Sequence, residues 1–383
     1  FVVPKPNKIE REIMLKLILL VSLMLVHINV NAEESEVESY VKEIFEIPPV
    51  KTHADSVKAE LIIPPGLFYD TMWADVYYDR LWIGDDGGRH GYGVGTIVSF
   101  DLNGDDARVE LERGRVPLYI DSTIAPPDFG RLANKVLITT QPAPEFEGAL
   151  QNHFIFAIDR GQELGGEIVC VFPTTEYGTS HLATELTPGP DNSPFDGFIY
   201  AGASGNRSII KVDQDGNCTP FVEDMPGWPL GIGWSPDGRH LLVGLKVAEA
   251  NYSNNPEDKG GSVIVRVDEN GNIVGEPIAS GFTMPTGFDY APKEWGPYAG
   301  KLFVSDARDW QNPTPRNMAV KGDSMIYMVE EDGSLVPFIE GIRNPVGIKF
   351  YKNMAFVSDI GGDYISGRAM ADGAVFKLTY LGQ

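Results

Sequence analysis

The chain has 383 residues, 43% of them hydrophobic, enough to bury one large core or two ordinary ones. Its 54 acidic residues against 31 basic ones give a formal net charge of −23. That balance excludes the basic footprint of a nucleic-acid binder and the cationic face of a protein docked on anionic lipid; it suits a soluble exported protein with an acidic surface.

In chain order, Lys16 precedes the apolar run "LILLVSLMLV", and "NVNA" offers small residues at Val30 and Ala32 for cleavage before Glu33. The run is shorter than the about 20 apolar residues that a membrane span needs. The pattern predicts a signal-peptide region over residues 1–32, with Met14 as its start, and a secreted or periplasmic mature chain. Residues 33–56 form an acidic leader. Val37, Tyr40, Val41, Ile44 and Phe45 share one face of a short helix there, which packs on the body, stays flexible, or docks to an extracellular partner or a second copy.

After residue 50 helical periodicity gives way to short β-branched and aromatic runs bounded by Gly, Pro, Asp and Asn, and 42 glycines and 28 prolines fit many tight turns. The runs repeat. "WPLGIGW" at 228–234, "MPTGFDY" at 284–290 and "NPVGIKF" at 344–350 share a Pro, a spacer, a Gly and alternating apolar residues. "APPDFGRLANKVLITT" at 125–140 matches "APKEWGPYAGKLFVSD" at 291–306, and "IIKVDQDG", "IVRVDENG" and "IYMVEEDG" each run a strand into a tight turn. Units beginning near Thr71, Leu118, His181, Trp228, Met284 and Asn344 predict an all-β, six-bladed β-propeller of four-stranded antiparallel blades over residues 57–383. The last unit supplies three strands, so "VKAELIIP" at 57–64 is expected to complete it and close the ring. Cys170 and Cys218 fall at nearly equivalent places on the outer strands of neighbouring units; such positions usually diverge, and whether the two pair is left open.

The closing stretch, with "YAGKLFVSDARDW", "EGIRNPVG", "VSDIGG" and a final Leu-Thr-Tyr, resembles the C-terminal blades of glucose/sorbosone dehydrogenase-like propellers over residues 285–380. A looser likeness extends to gluconolactonase and NHL-type propellers. The resemblance implies the fold and a sugar-like or lactone-like ligand, with pyrroloquinoline quinone or calcium as cofactor. No histidine motif of the quinone enzymes and no "EGP"-like motif of the lactonases aligns, so neither catalytic set carries over. The activity expected of an enzyme is a sugar-type oxidation or a lactone hydrolysis; the alternative is a non-catalytic binding or scaffold propeller.

Candidate residues follow from the blade pattern. The connections between second and third strands are the long ones, at 85–95, 140–153, 203–208, 245–262, 306–323 and 359–373, and they share one face. Asp85, Asp306 and Asp359 end equivalent strands on that face, and with Asp86 and Asp363 they form the candidate metal set. The other expectation is that each caps nearby backbone N–H groups. His90, His181 and Arg308 are the candidate catalytic groups, and Trp228, Trp310 and Arg343 the candidate cofactor-binding lining. His153 begins a strand and His240 lies on the opposite face.

Overall fold

The computed structural model of the chain describes residues 50–85, 94–117, 119–140, 154–159, 166–172, 183–247, 261–307, 324–361 and 373–382. Six antiparallel sheets, five of four strands and one of five, form the blades. Blade one runs Thr71–Tyr77, Arg80–Asp85, Val94–Phe100 and Arg108–Pro117 from axis to rim, and blade two Tyr119–Ile124, Val136–Thr140, Phe154–Ile158 and Gly166–Val171. Blade three comprises Ala183–Pro188, Ile199–Ala203, Ser208–Val212 and Cys218–Val222. Blade four comprises Trp228–Trp234, Leu241–Lys246, Ser262–Val267 and Ile273–Phe282. Blade five comprises Pro285–Tyr290, Leu302–Asp306, Met325–Val329 and Leu335–Glu340. Blade six starts with Pro345–Tyr351, Met354–Asp359 and Gly373–Tyr380. The chain is a six-bladed β-propeller.

The first strand of each blade touches the first strand of the next, and that of blade six touches that of blade one. Blade six takes its outer strand from the amino-terminal side: Val57–Phe68 pairs antiparallel with Gly373–Tyr380, four residues longer than the strand expected from sequence. Just before it, Lys51–Thr52 adds a fifth strand to blade five by pairing with Glu340 and Ile339. Residues 50–56 therefore belong to the ring rather than to a leader; the remainder of the expected leader and the signal region lie outside the described residues.

Alternation in the strands places apolar side chains between blades. One cluster joins blades two and three through Leu137, Ile155, Leu186 and Ile199; another joins blades six and one through Ile63, Leu81, Phe356 and Val375. The repeated Ala-Pro lead-in also has a packing role. It delivers Phe129 and Trp295, with Phe195 at the matching place in blade three, as aromatic wedges under the turns from first to second strand, all at most 2% exposed. The inner strands approach closely because the repeated glycine allows it. A Cβ on Gly287 would meet Gly347 Cα at 2.8 Å, and one on Gly347 would meet Trp73 Cδ1 at 3.0 Å.

Deleting Val57–Phe68 should lower the stability of the whole ring by at least about 5 kcal/mol, since Val57, Ile63 and Phe68 lose their burial. A circular-dichroism melt should show one cooperative transition moved well down in temperature. An unchanged midpoint would mean that blade six stands without this strand.

Candidate functional site: the channel and its rim

The second strands end at one rim, and there the expected equivalence of the aspartates holds. Thr71 pairs with Asp85, Pro285 with Asp306 and Pro345 with Asp359. Each carboxylate turns back to the residue that opens its own blade. Asp85 accepts the Asp70 N–H at 3.1 Å. Asp306 accepts those of Thr283 at 2.9 Å and Met284 at 2.7 Å. Asp359 accepts those of Asn344 and Gly361, both at 3.0 Å, and pairs with Arg343 Nε at 3.1 Å. The three are 1%, 5% and 0% exposed. This is backbone capping, with the carboxylate clamping the open end of the innermost hairpin. Among the described residues no three His, Cys, Asp or Glu side chains come together as a metal-binding group. Arg343, the cation beside blade six, pairs with Asp359.

Trp228 opens blade four at the same rim, half-buried, with the Lys246 ammonium over its ring at 5.3 Å from the centroid. Lys246 is itself 2% exposed. His90, His181, Arg308, Trp310, Asp86 and Asp363, like His153, lie outside the described residues. On the opposite face His240 lines an open cleft with Asp191, Asp237, Arg239 and Glu269.

Deeper along the axis lies a charged group that the sequence reading did not single out. Asp75, Asp121, Glu185, Asp289 and Lys349 all sit on first strands, in blades one, two, three, five and six. Lys349 Nζ reaches Glu185 Oε1 at 3.0 Å. Blades six and three are opposite in the ring, so this ion pair spans the channel. Glu185 Oε2 accepts the Ile232 N–H of blade four at 2.9 Å. Asp121 accepts the Leu186 N–H of blade three at 2.7 Å, and Asp289 the Phe350 N–H of blade six at 2.9 Å. In blade one Asp75 accepts its neighbour Val76 N–H at 2.7 Å and the Tyr77 hydroxyl at 2.9 Å. That hydroxyl also lies 3.1 Å from Ser122 O in blade two.

The pattern has a cause. A first strand is a sheet edge turned inward, and its outward N–H groups would be buried without partners. An acid from the preceding blade accepts them. Burial, opposed by Lys349 and the Ile232 N–H, raises the Glu185 pKa. Burial and the Glu185 charge raise Asp121 well above the carboxylate range, and burial raises Asp289. Burial acts to strip the Lys349 proton, but the charges of Glu185, Asp75, Asp289 and Asp121 prevail and hold its pKa well above the ordinary lysine value. A sequence signal existed: in the aligned "MPTGFDY" and "NPVGIKF" segments, Asp289 and Lys349 share one column of a buried strand.

No protein-family model and no curated protein sequence matches the chain. Solved structures do. The soluble aldose sugar dehydrogenase of Escherichia coli is similar at a TM-score of 0.55 and 11% identity, over 85% of this chain and 99% of that one. A gluconolactonase of Xanthomonas campestris is similar at 0.50 and 14%, over 87% and 94%. An auxiliary nutrient-binding protein of Bacteroides thetaiotaomicron is similar at 0.50 and 11%, over 87% and 76%. At such identities the likeness is one of fold. The sugar-dehydrogenase and gluconolactonase propellers are thus structural neighbours of this one. Among the described residues no helix is long and apolar enough to cross a membrane.

Lys349→Met should destabilise the protein by about 3–5 kcal/mol, because Glu185 is left buried without its cation. Glu185→Gln in the same chain should restore part of the loss, read as urea midpoints.

The raised carboxyls also set a pH dependence. Their ordinary values are 3.8 for Asp121 and Asp289 and 4.5 for Glu185. A raised folded value means that the stabilising contribution is complete below the ordinary value and is lost as pH rises through the raised one. Turn aspartates such as Asp213 and Asp268, whose values are lowered from 3.8, oppose this only in stronger acid. The urea midpoint should therefore rise from pH 7 to pH 5, and Asp121→Asn should flatten that slope; a midpoint that falls over this range would contradict the assignment.

Proposed function

We propose that this propeller takes a small polar molecule, sugar-like or lactone-like, at the channel mouth on the rim where the second strands end. The observation that carries the reading is the difference between the two ends of the ring. At the rim, Asp85, Lys246, Asp306 and Asp359 are charged groups withdrawn from solvent, at the roots of the connections that the sequence makes long. At the far end, Asp101, Asp213, Asp268 and Asp332 sit in solvent-reached turns and cap their own backbones. Burying charge costs free energy, and concave sites are where such groups recur. Below the mouth, the Lys349–Glu185 pair crosses the channel, so a ligand entering from the rim meets fixed charges.

A polyol or lactone suits this mouth, because its oxygens match a charged, polar surround and its C–H surface an aromatic one, here the Trp228 ring beside Lys246. The names of the structural neighbours agree: aldose sugar dehydrogenase, gluconolactonase and nutrient-binding protein. The enzymatic form of the reading is a sugar-type oxidation or a lactone hydrolysis. It uses His90 and His181 for proton transfer, Arg308 for developing charge and Trp310 in the lining. It extends to calcium or a quinone held with Asp86, Asp363 and other residues outside the described ones, and to export after cleavage at Ala32. A second reading, an extracellular binding or scaffold propeller without chemistry, is favoured by one observation. The described rim carboxylates Asp85, Asp306 and Asp359 are engaged by backbone N–H groups.

A thermal-shift screen of aldoses, aldonolactones, calcium and pyrroloquinoline quinone, followed by dehydrogenase and lactonase assays, separates these. A ligand at a hundredfold excess over its dissociation constant should stabilise the fold by about 2.7 kcal/mol, and Trp228→Ala should abolish that gain. Turnover lost in His90→Ala or His181→Ala supports the enzyme, binding without turnover supports the second reading, and no shift with any sugar or lactone overturns the proposal.

A further inference from the structure

The chain has two cysteines, and the propeller brings them to one interface. Cys170 lies on the outer strand of blade two and Cys218 on the outer strand of blade three. Equivalent positions on neighbouring outer strands usually diverge, and a local irregularity prevents that here. Ile168 pairs with Phe156 and Cys170 with Ile155, so Val169 is an extra residue in the ladder. Such a bulge re-aims the side chain that follows it. The burial order shows the effect: Ile168 faces out, Val169 and Cys170 both turn inward, and Val171 faces out again. Cys170 thereby joins the apolar cluster between blades two and three, 6% exposed, and Cys218 packs against the same cluster. The Cys218 sulfur lies 3.9 Å from Val169 O, beside the bulge.

Polar contacts hold this part of the interface in register. Arg131 pairs with Glu167 on the outer strand of blade two at 2.7 Å and donates to the Asp215 carbonyl in the turn that leads to Cys218. Among the described residues no third ligand joins the sulfurs to make a metal-binding group.

We infer that Cys170 and Cys218 are a disulfide site that staples blade two to blade three. The chemistry balances with a small-molecule disulfide as oxidant. The half-buried Cys218, as thiolate, attacks oxidised glutathione, forms a mixed disulfide and releases one glutathione thiolate. Cys170 then loses its proton to solvent and its sulfur displaces the second glutathione thiolate. Two protein thiols give up two protons and two electrons, and the glutathione disulfide is reduced to two thiols. Exposure sets the order, because the Cys218 thiol beside it and burial push the Cys170 thiol well up and make it a poor first nucleophile.

The staple also has a place in the ring. The interface between blades two and three lies opposite that between blades five and six, where Lys51–Thr52 and Val57–Phe68 cross from one outer edge to the next. Covalent and strand-borne girdles then stand on opposite sides. Because the bond would close a loop that includes most of blade three, reduction should lower the melting temperature by roughly 5 °C.

The test uses the full chain, reduced, freed of reductant and incubated with oxidised glutathione at pH 8. Thiols are counted after denaturation, and peptides are mapped without reduction. Loss of both thiols in an unmixed, monomeric product containing a Cys170–Cys218 peptide supports the inference. So does a stable glutathione adduct on Cys218 in Cys170→Ser. Two thiols still free, a wild-type protein stalled as the mixed disulfide, or a crosslinked dimer would overturn it. The wild-type count decides the matter even where the variant fails to fold.

Discussion

Six sheet edges face inward on one axis, and every other feature of this propeller accommodates that constraint. An inner strand bonds on one side to its own blade, so its remaining N–H groups have no ladder partner. Asp121, Glu185 and Asp289 accept such groups from Leu186, Ile232 and Phe350, each in the following blade. Gathering these carboxylates near one axis creates a repulsion that Lys349 relieves by reaching across to Glu185. The same groups thus satisfy the backbone, join neighbouring blades and set an ion pair across the channel. Apolar side chains in their place would leave the edge N–H groups without acceptors, at a cost of about 1–3 kcal/mol each.

The rim repeats this logic one level up. Asp85, Asp306 and Asp359 accept N–H groups from the residues that lead into the first strands of blades one, five and six. Blades two, three and four carry Thr140, Ala203 and Leu245 at the matching strand ends. The aspartates are therefore a property of half the ring, which makes the mouth unsymmetrical. Arg343 stands beside Asp359 on one side and the Lys246–Trp228 pair lies in blade four on the other. The mouth is therefore unsymmetrical, charged and partly aromatic, above an ion pair that crosses the channel.

Ring closure distributes stability unevenly. Neighbouring blades share apolar clusters, while the amino-terminal segment binds two outer edges in succession and the two free cysteines, Cys170 and Cys218, lie at the interface on the far side. The inner strands have little freedom to shift, since Gly287 and Gly347 already touch backbone to backbone.

The number of blades, their starting residues and the equivalence of Asp85, Asp306 and Asp359 were legible in the sequence, because turn chemistry and alternating burial act over a few residues and recur with the repeat. The pairing of "VKAELIIP" with the last blade was legible too, since a lone strand and a three-stranded unit each lack an edge partner. What the rim aspartates hold was not. A carboxylate at a strand end looks alike whatever it faces, and the N–H groups of Asp70, Thr283 and Asn344 that these three accept come from outside the strand that carries each. The Lys349–Glu185 bridge and the apposition of Cys170 with Cys218 were equally hidden. Each depends on two residues distant along the chain, on ring order in one case and on a single bulge in the other. Local periodicity therefore determined the blades, and contacts between residues remote in sequence, which carry no periodic signal, decided what fills the axis and what fastens the ring.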